Sequence, residues 1–314
     1  MLRGQDTKKI AYNTSEKITI MNIKHISRAA FVLVSLGLLN QGYGGAIFIT
    51  GHDPDFHAQG EPGAANLLRI GLNYSRNGGS VVSNPGALPV LWIESDPADF
   101  GGVPGGHRFG LDGLRTIGYL AVGEPGVASE GRYVFADAAD LTSAFWATVT
   151  PANFSAIGVA STFGGTLRQA ELDNLNGHSA DIATFFNAGG GIFAAAEGHE
   201  GADLAPAGGY FDWIPVTAAS TTSAAPPYSV TPFGASLGLT DNDVSSPSHS
   251  HFTSASGLNI VSLDSNGDIM TLASVTTIGG GGFSVPDFSS SFLLFGTGLV
   301  ALWTARRALR TPSN

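Results

Sequence analysis

The sequence predicts an open α/β sheet, mainly because of a strand–helix–strand pattern in the middle of the chain. Residues 156–160 form a short apolar run that ends at Ser161, and residues 192–196 form a second one; both are typical of buried strands. Between them, apolar residues recur at helical spacing and the charged residues fall elsewhere. The apolar positions of this predicted helix are Leu172, Leu175, Ile182 and Phe186. The pattern predicts a βαβ unit with parallel strands and a right-handed crossover.

Three further elements extend the predicted sheet towards the N-terminus. Residues 46–50 are continuously apolar up to a threonine and predict the first strand. Residues 64–74 have the spacing of the helix that follows it, and residues 90–93 predict another strand. We therefore expect one globular α/β domain over residues 47–277, long enough to bury a substantial core.

Turn signals set the limits of several predicted elements. Thr166 with Gln169 three residues later indicates a capping box at the start of the central helix, and the glycine pair that begins at Gly189 ends it. Asn266-Gly267 between two apolar runs predicts a hairpin turn. The 43 glycines and 16 prolines of the chain predict loop-rich insertions around these elements.

Composition excludes some chemistry. The chain has no cysteine, so it forms no disulfide and offers no thiol as nucleophile or metal ligand. Its 15 basic and 25 acidic residues give a net charge of −10, and Lys24 is the last lysine. Since affinity for nucleic acids depends on cations that meet phosphates, we expect no nucleic-acid partner.

The N-terminal region has the layout of a secretory signal peptide. Lys24 and Arg28 precede an apolar stretch at residues 29–39, and small residues follow at 44–46. We expect residues 21–46 to be the signal peptide, with the Sec translocon and signal peptidase as partners. The polar residues 1–20 do not fit in front of it, so we expect translation to begin at Met21 and that stretch to be an artefact of the gene model.

The C-terminal residues have the layout of a membrane segment with a basic stop. No residue from 288 to 305 is charged, and a run of roughly 18 such residues is near the minimum that spans a bilayer as a helix. Arg306 and Arg307 follow at once, which places the C-terminus in the cytoplasm and the body outside. Residues 278–284 are rich in glycine and predict a flexible linker between the body and this transmembrane helix.

This tail, residues 285–314, resembles the PEP-CTERM family of sorting signals. Val285-Pro286-Asp287, a serine-rich spacer, the apolar segment and the terminal arginines are similar to the Val-Pro-Asp variant of that signal. The resemblance implies recognition by an exosortase-like membrane enzyme of a Gram-negative bacterium that makes exopolysaccharide. It also implies transient residence in the inner membrane and then the cell surface or extracellular matrix, with exopolysaccharide as a further candidate partner.

Residues 181–193 are similar to the helix-to-strand passage of class I glutamine amidotransferase-like and ThuA-like domains. That resemblance implies a flavodoxin-like three-layer open sheet. The amidotransferases use a cysteine nucleophile, which this chain lacks, so glutaminase activity is not implied.

Histidines and carboxylates that follow two predicted strands are the strongest indication of a functional site in the body. In open α/β sheets ligands bind beyond the carboxyl ends of the strands, where both groups should lie. Imidazole with carboxylate suits zinc, manganese or iron, or a general acid–base pair, although no spacing matches a signature such as HExxH. The alternative is that His52 and Asp53 only cap the turn that follows. The predicted metal ligands are His52, Asp53, Asp55, His57, Glu197 and His199.

Two functions of different classes follow from the sequence. The first is an exported envelope or matrix protein, sorted by an exosortase-like system, whose acidic body binds a ligand or is structural. The second is an exported metal-assisted hydrolase of envelope carbohydrate or amide substrates.

Overall fold

Eleven strands in the described part of the chain form one mixed sheet. The computed structural model describes residues 44–96, 109–162, 166–196, 209–214, 220–222, 225–245 and 250–275. Residues 1–43, the linker 278–284 and the tail 285–314 lie outside these ranges, as do the predicted ligands Glu197 and His199. No helix within the described ranges is long and apolar enough to cross a membrane.

The sheet has a parallel half and an antiparallel half. Its strand order is β3-β4-β2-β5-β6-β1-β11-β10-β8; the six strands from β3 to β1 are parallel, and β11, β10 and β8 follow in antiparallel pairs. Strand β9 pairs with β11, and β7 pairs with β9. The strands are β1 (Ala46–Thr50), β2 (Val90–Ile93), β3 (Tyr119–Ala121), β4 (Gly131–Ala136), β5 (Ala156–Val159), β6 (Gly191–Ala195), β7 (Ser220–Thr222), β8 (Ser229–Val230), β9 (Ser250–Phe252), β10 (Asn259–Leu263) and β11 (Ile269–Val275).

Helices connect the parallel strands. Those in the described ranges are α1 (Pro54–His57), α2 (Pro62–Arg76), α3 (Gly110–Thr116), α4 (Ser143–Trp146), α5 (Gln169–Gly177), α6 (Ser179–Asn187) and α7 (Pro232–Ser236), with a 3-10 helix at Asp241–Val244. The predicted βαβ unit is confirmed, since β5 and β6 pair in parallel with Ile157 beside Ile192.

Two buried clusters on opposite faces of the sheet make the body a three-layer α/β fold. Successive strand residues alternate between the faces. In β1, Ile47 and Ile49 join Leu172 of α5 in one cluster, whereas Phe48 joins Leu68 of α2 and Leu114 of α3 in the other. The parallel strands β1, β2, β5 and β6 are buried on both faces, which is why they are continuously apolar in the sequence, whereas β3 and β4 are only partly buried.

The central helix differs from the prediction at its start and in its middle. The capping box at Thr166 is wrong, because Thr166 has a left-handed φ of 67° and α5 begins only at Gln169. The N-terminus is capped instead by Glu171, whose carboxylate accepts the backbone N–H of Arg168 at 3.3 Å. The helix also breaks at His178, where φ is −111° and ψ is 20°.

The predicted end of this helix and the predicted hairpin are both confirmed. Helix α6 ends at Asn187, and Gly189 has a φ of 100°, a conformation that glycine adopts without steric cost. Strands β10 and β11 pair antiparallel, and Gly267 in the turn between them has a φ of 86°.

Candidate functional site

The carboxyl ends of β2 and β5 form a topological switch point. The two strands are adjacent and parallel, but the helices that follow them lie on opposite faces: α3 packs through Leu114 on one cluster and α5 through Leu172 on the other. In open α/β sheets the crevice at such a point is where ligands bind. Glu94 follows β2 directly and Ser161 comes two residues after β5, so both lie at this edge.

Asp55 reaches this switch point from α1. Its side chain is fully buried, and its Oδ2 accepts the backbone N–H of Ser161 at 2.8 Å. Burial raises the pKa of the Asp55 carboxyl above its usual range, although hydrogen bonds from Ser161 oppose the shift. The contact ties the segment after β1 to the segment after β5, across the intervening strand β6.

Glu94 is the most heavily hydrogen-bonded carboxyl group of the site. Its Oε1 accepts the backbone N–H of Gly110 at 2.6 Å and the hydroxyl of Thr166 at 3.0 Å. Its Oε2 accepts the indole N–H of Trp92 at 2.9 Å and the backbone N–H of Leu111 at 3.1 Å. The side chain therefore satisfies two backbone amides in the first turn of α3.

The two carboxyl groups lie next to each other beside Gly110. A Cβ atom at Gly110 would be 3.0 Å from Asp55 Oδ2 and 3.3 Å from Glu94 Oε2, so only glycine lets the chain pass this closely. Burial raises the pKa of Glu94 to about 8, and the charge of Asp55 adds to the shift. A carboxyl group that holds its proton near neutral pH can act as a general acid.

A third buried carboxylate, Glu171, supports this edge from the other face. It accepts hydrogen bonds from the Ser95 hydroxyl and, at 3.0 Å, from the backbone N–H of Ala138. Because it also caps α5, it joins the ends of β2 and β4 to the helix after β5. Its role is to position the residues of the switch point.

The described residues of the predicted metal site do not converge on one point. His57 lies between two carboxylates, with Nε2 3.5 Å from Asp53 Oδ2 and Nδ1 2.9 Å from Glu61 Oε1. His52 instead packs edge-on against Tyr228 at 5.1 Å between ring centroids. Asp55 is bound to Ser161. Within the described ranges no three histidine, aspartate or glutamate side chains are placed to hold a metal ion together.

The structure also differs from the alternative prediction, in which the side chain of Asp53 caps the turn that follows it. Asp53 occupies the N-cap of α1 without a side-chain capping hydrogen bond. Its backbone carbonyl accepts the N–H of Phe56 at 3.1 Å, while the carboxylate faces His57.

Sequence reasoning missed Glu94, Ser95, Ser161 and Glu171 as site residues. Glu94 and Ser95 could have been predicted, because they directly follow a predicted strand, where α/β proteins place functional side chains. No sequence signal connects Glu94 with Asp55, since only the strand order brings them together.

Comparisons with known proteins add little to this geometry. No protein-family model and no curated protein matches the chain. A solved structure of IMPa from Pseudomonas aeruginosa in complex with an O-glycopeptide is similar over 48% of this chain and 13% of that chain, with 18% identity and a TM-score of 0.28. A likeness at that TM-score carries no argument about fold or function.

Proposed function

We propose that the chain is an exported envelope protein whose α/β body binds a polar ligand at the switch point between β2 and β5. The observation that carries the binding role is the buried carboxyl pair of Asp55 and Glu94 at that point. Buried carboxyl groups with shifted pKa values are costly to a fold, and they cluster where proteins bind or transform ligands.

The strand order supports the finer proposal of a flavodoxin-like sheet. If the short edge strand β3 is left out, counting starts at β2 and β1 is taken last, the five strands β4-β2-β5-β6-β1 follow the 2-1-3-4-5 order of flavodoxin-like sheets. In that order the switch point falls between β2 and β5, where Glu94 and Ser161 stand.

For delivery, we propose the route that the two ends of the sequence indicate. The signal-peptide pattern at 21–46 leads through the Sec translocon and signal peptidase, and Val285-Pro286-Asp287 with Arg306 and Arg307 would be read by an exosortase-like enzyme. The mature body would then reside at the cell surface or in the matrix, where exopolysaccharide is a candidate partner.

Deletion of residues 285–314 tests the sorting proposal. The shortened chain should be released to the medium, whereas the full chain should fractionate with the envelope. The matched control replaces Val285-Pro286-Asp287 with three alanines and keeps the apolar segment, so that it separates recognition from membrane retention. Retention of the shortened chain in the membrane would refute the proposal.

A second candidate function, an exported hydrolase of envelope carbohydrate or amide substrates, is favoured by the same carboxyl pair. Glu94 would donate a proton to the leaving group and Asp55 would accept one from water. The described residues do not offer a metal-ligand set, so we derive no step through a metal. Glu94→Gln and Asp55→Asn should each abolish turnover of a substrate that the unaltered chain cleaves; full activity in both variants would exclude this mechanism.

A further inference from the structure

A cavity of about 450 Å³, wide open to solvent, lies at the opposite edge of the sheet from the switch point. It is formed by the C-terminus of α2 and the loop that leads to the first residue of β2, so it belongs to the amino ends of the parallel strands. Cavities of this volume are in the range of small-molecule sites. The polar side chains that line it are Arg76, Asn77, Ser80, Ser83 and Asn84.

Arg76 is the charged member of this lining, and it is only 6% exposed. Its Nη1 donates to the hydroxyl of Tyr119 at 3.2 Å and to the backbone carbonyl of Glu130 at 2.7 Å. Its Nη2 donates to the backbone carbonyl of Leu88 at 3.0 Å, and the guanidinium lies over the Tyr119 ring at 5.3 Å from the centroid. These contacts fix the guanidinium in one orientation.

All of these hydrogen-bond acceptors are neutral. The carboxylate of Glu130 accepts from Asn73 Nδ2 at 2.7 Å, and no ion pair within 4.0 Å involves Arg76 in the described ranges. Arg76 Nε is buried and has no hydrogen-bond partner in those ranges. A buried cation without a carboxylate partner is costly, and an anion beside it would offset that cost.

We propose that this cavity binds a uronate, a sugar acid whose carboxylate pairs with Arg76. Guanidinium groups recognise carboxylates strongly and with defined geometry. The other polar groups of the lining are amides and hydroxyls, which match the hydroxyl groups of a sugar ring, and Val82 and Ala87 complete the lining. Ser80 and Asn84 are exposed at the cavity and are therefore accessible to such a ligand.

This site is separate from the proposed switch-point site. It uses the loop before β2 rather than the residues after that strand, and none of its lining residues contributes to the carboxyl pair. Loss of binding at one site should leave the other unchanged, so a failure of either proposal is distinguishable from a failure of the other.

Isothermal titration calorimetry of the full chain with galacturonate and glucuronate tests the proposal. Either uronate should bind and Arg76→Gln should weaken that binding by about tenfold or more, because a charge-assisted contact is lost. The control Arg69→Gln removes a positive charge from the same helix, where the guanidinium bonds to Asn66, and should leave binding unchanged. Glu94→Gln should also leave it unchanged.

One further variant and two further sets of ligands complete the binding test. Asn84→Asp places a negative charge on the exposed rim without disturbing the core, so it should weaken uronate binding even if Arg76→Gln fails to fold. Galactose and glucose should not bind, and acetate and sulfate should bind more weakly than uronates. Equal binding of neutral sugars would overturn the role of Arg76, equal binding of acetate would overturn the sugar assignment, and no binding of any uronate would overturn the site.

Discussion

Replacement of Glu94 by glutamine should remove a large pH dependence from the stability of the body. The pKa of Glu94 is raised from 4.5 to about 8 by burial, so the folded state holds the proton more tightly than the unfolded state. This contribution is fully present below pH 4.5 and is lost as the pH rises through about 8. At about 1.4 kcal/mol per pKa unit, the loss between pH 5 and pH 8 amounts to up to about 4 kcal/mol.

Thermal unfolding at a series of pH values measures this effect. For a body of this size, about 4 kcal/mol corresponds to a fall of roughly 10 °C in the unfolding midpoint between pH 5 and pH 8. Glutamine keeps an acceptor oxygen and cannot ionise, so Glu94→Gln should remove the share of the fall that Glu94 contributes, while the share from the raised pKa of Asp55 remains. The control Asp173→Asn removes an exposed carboxylate on α5 and should leave the pH profile unchanged. A Glu94→Gln profile as steep as that of the unaltered chain would refute the assigned burial effect.

Three further predictions concern packing, processing and metal content. Gly63→Ala should destabilise the body by about 1–3 kcal/mol in denaturant unfolding, because the new Cβ would lie 2.2 Å from the carbonyl oxygen of Asn242. The control Gly60→Ala should be nearly neutral, because its Cβ would meet nothing within 4 Å. Peptide mass spectrometry should place the mature N-terminus at or before Gly45, slightly ahead of the end at residue 46 that the signal-peptide pattern predicts, because Gly45 N–H donates to Phe186 O at 2.7 Å and Ala46 opens β1. A start after Ala46 would support the predicted end at residue 46 and contradict this structural argument. Elemental analysis of the purified chain tests the predicted metal ligands, and if a metal is found, unchanged stoichiometry in a His199→Ala variant would exclude that residue.

Four of the six strands of the parallel half were predictable because burial on both faces leaves a continuous apolar run in the sequence, whereas β3 and β4 are only partly buried and were not predicted. The predicted runs are 46–50, 90–93, 156–160 and 192–196, and the structure has strands at Ala46–Thr50, Val90–Ile93, Ala156–Val159 and Gly191–Ala195. The break between α5 and α6 was not predicted, since apolar residues keep their helical spacing across it. It falls after Asn176 and Gly177, residue types of low helix propensity.

The candidate site was predictable in its location but not in its membership. The rule that ligands bind beyond the carboxyl ends of parallel strands correctly directed attention to the segment after β1. It could not indicate that Asp55 turns towards Ser161 while His57 turns towards Asp53 and Glu61, because both orientations fit the same spacing. Glu94 was missed since its neighbours Asp55, Gly110 and Thr166 are distant in sequence.

The central claim, export followed by sorting through the tail, is tested most directly by the intact mass of the chain recovered from the cell surface or matrix. The account predicts a product that lacks the signal peptide and the apolar segment 288–305. A surface or matrix chain whose mass still includes the segment 288–305 would contradict it.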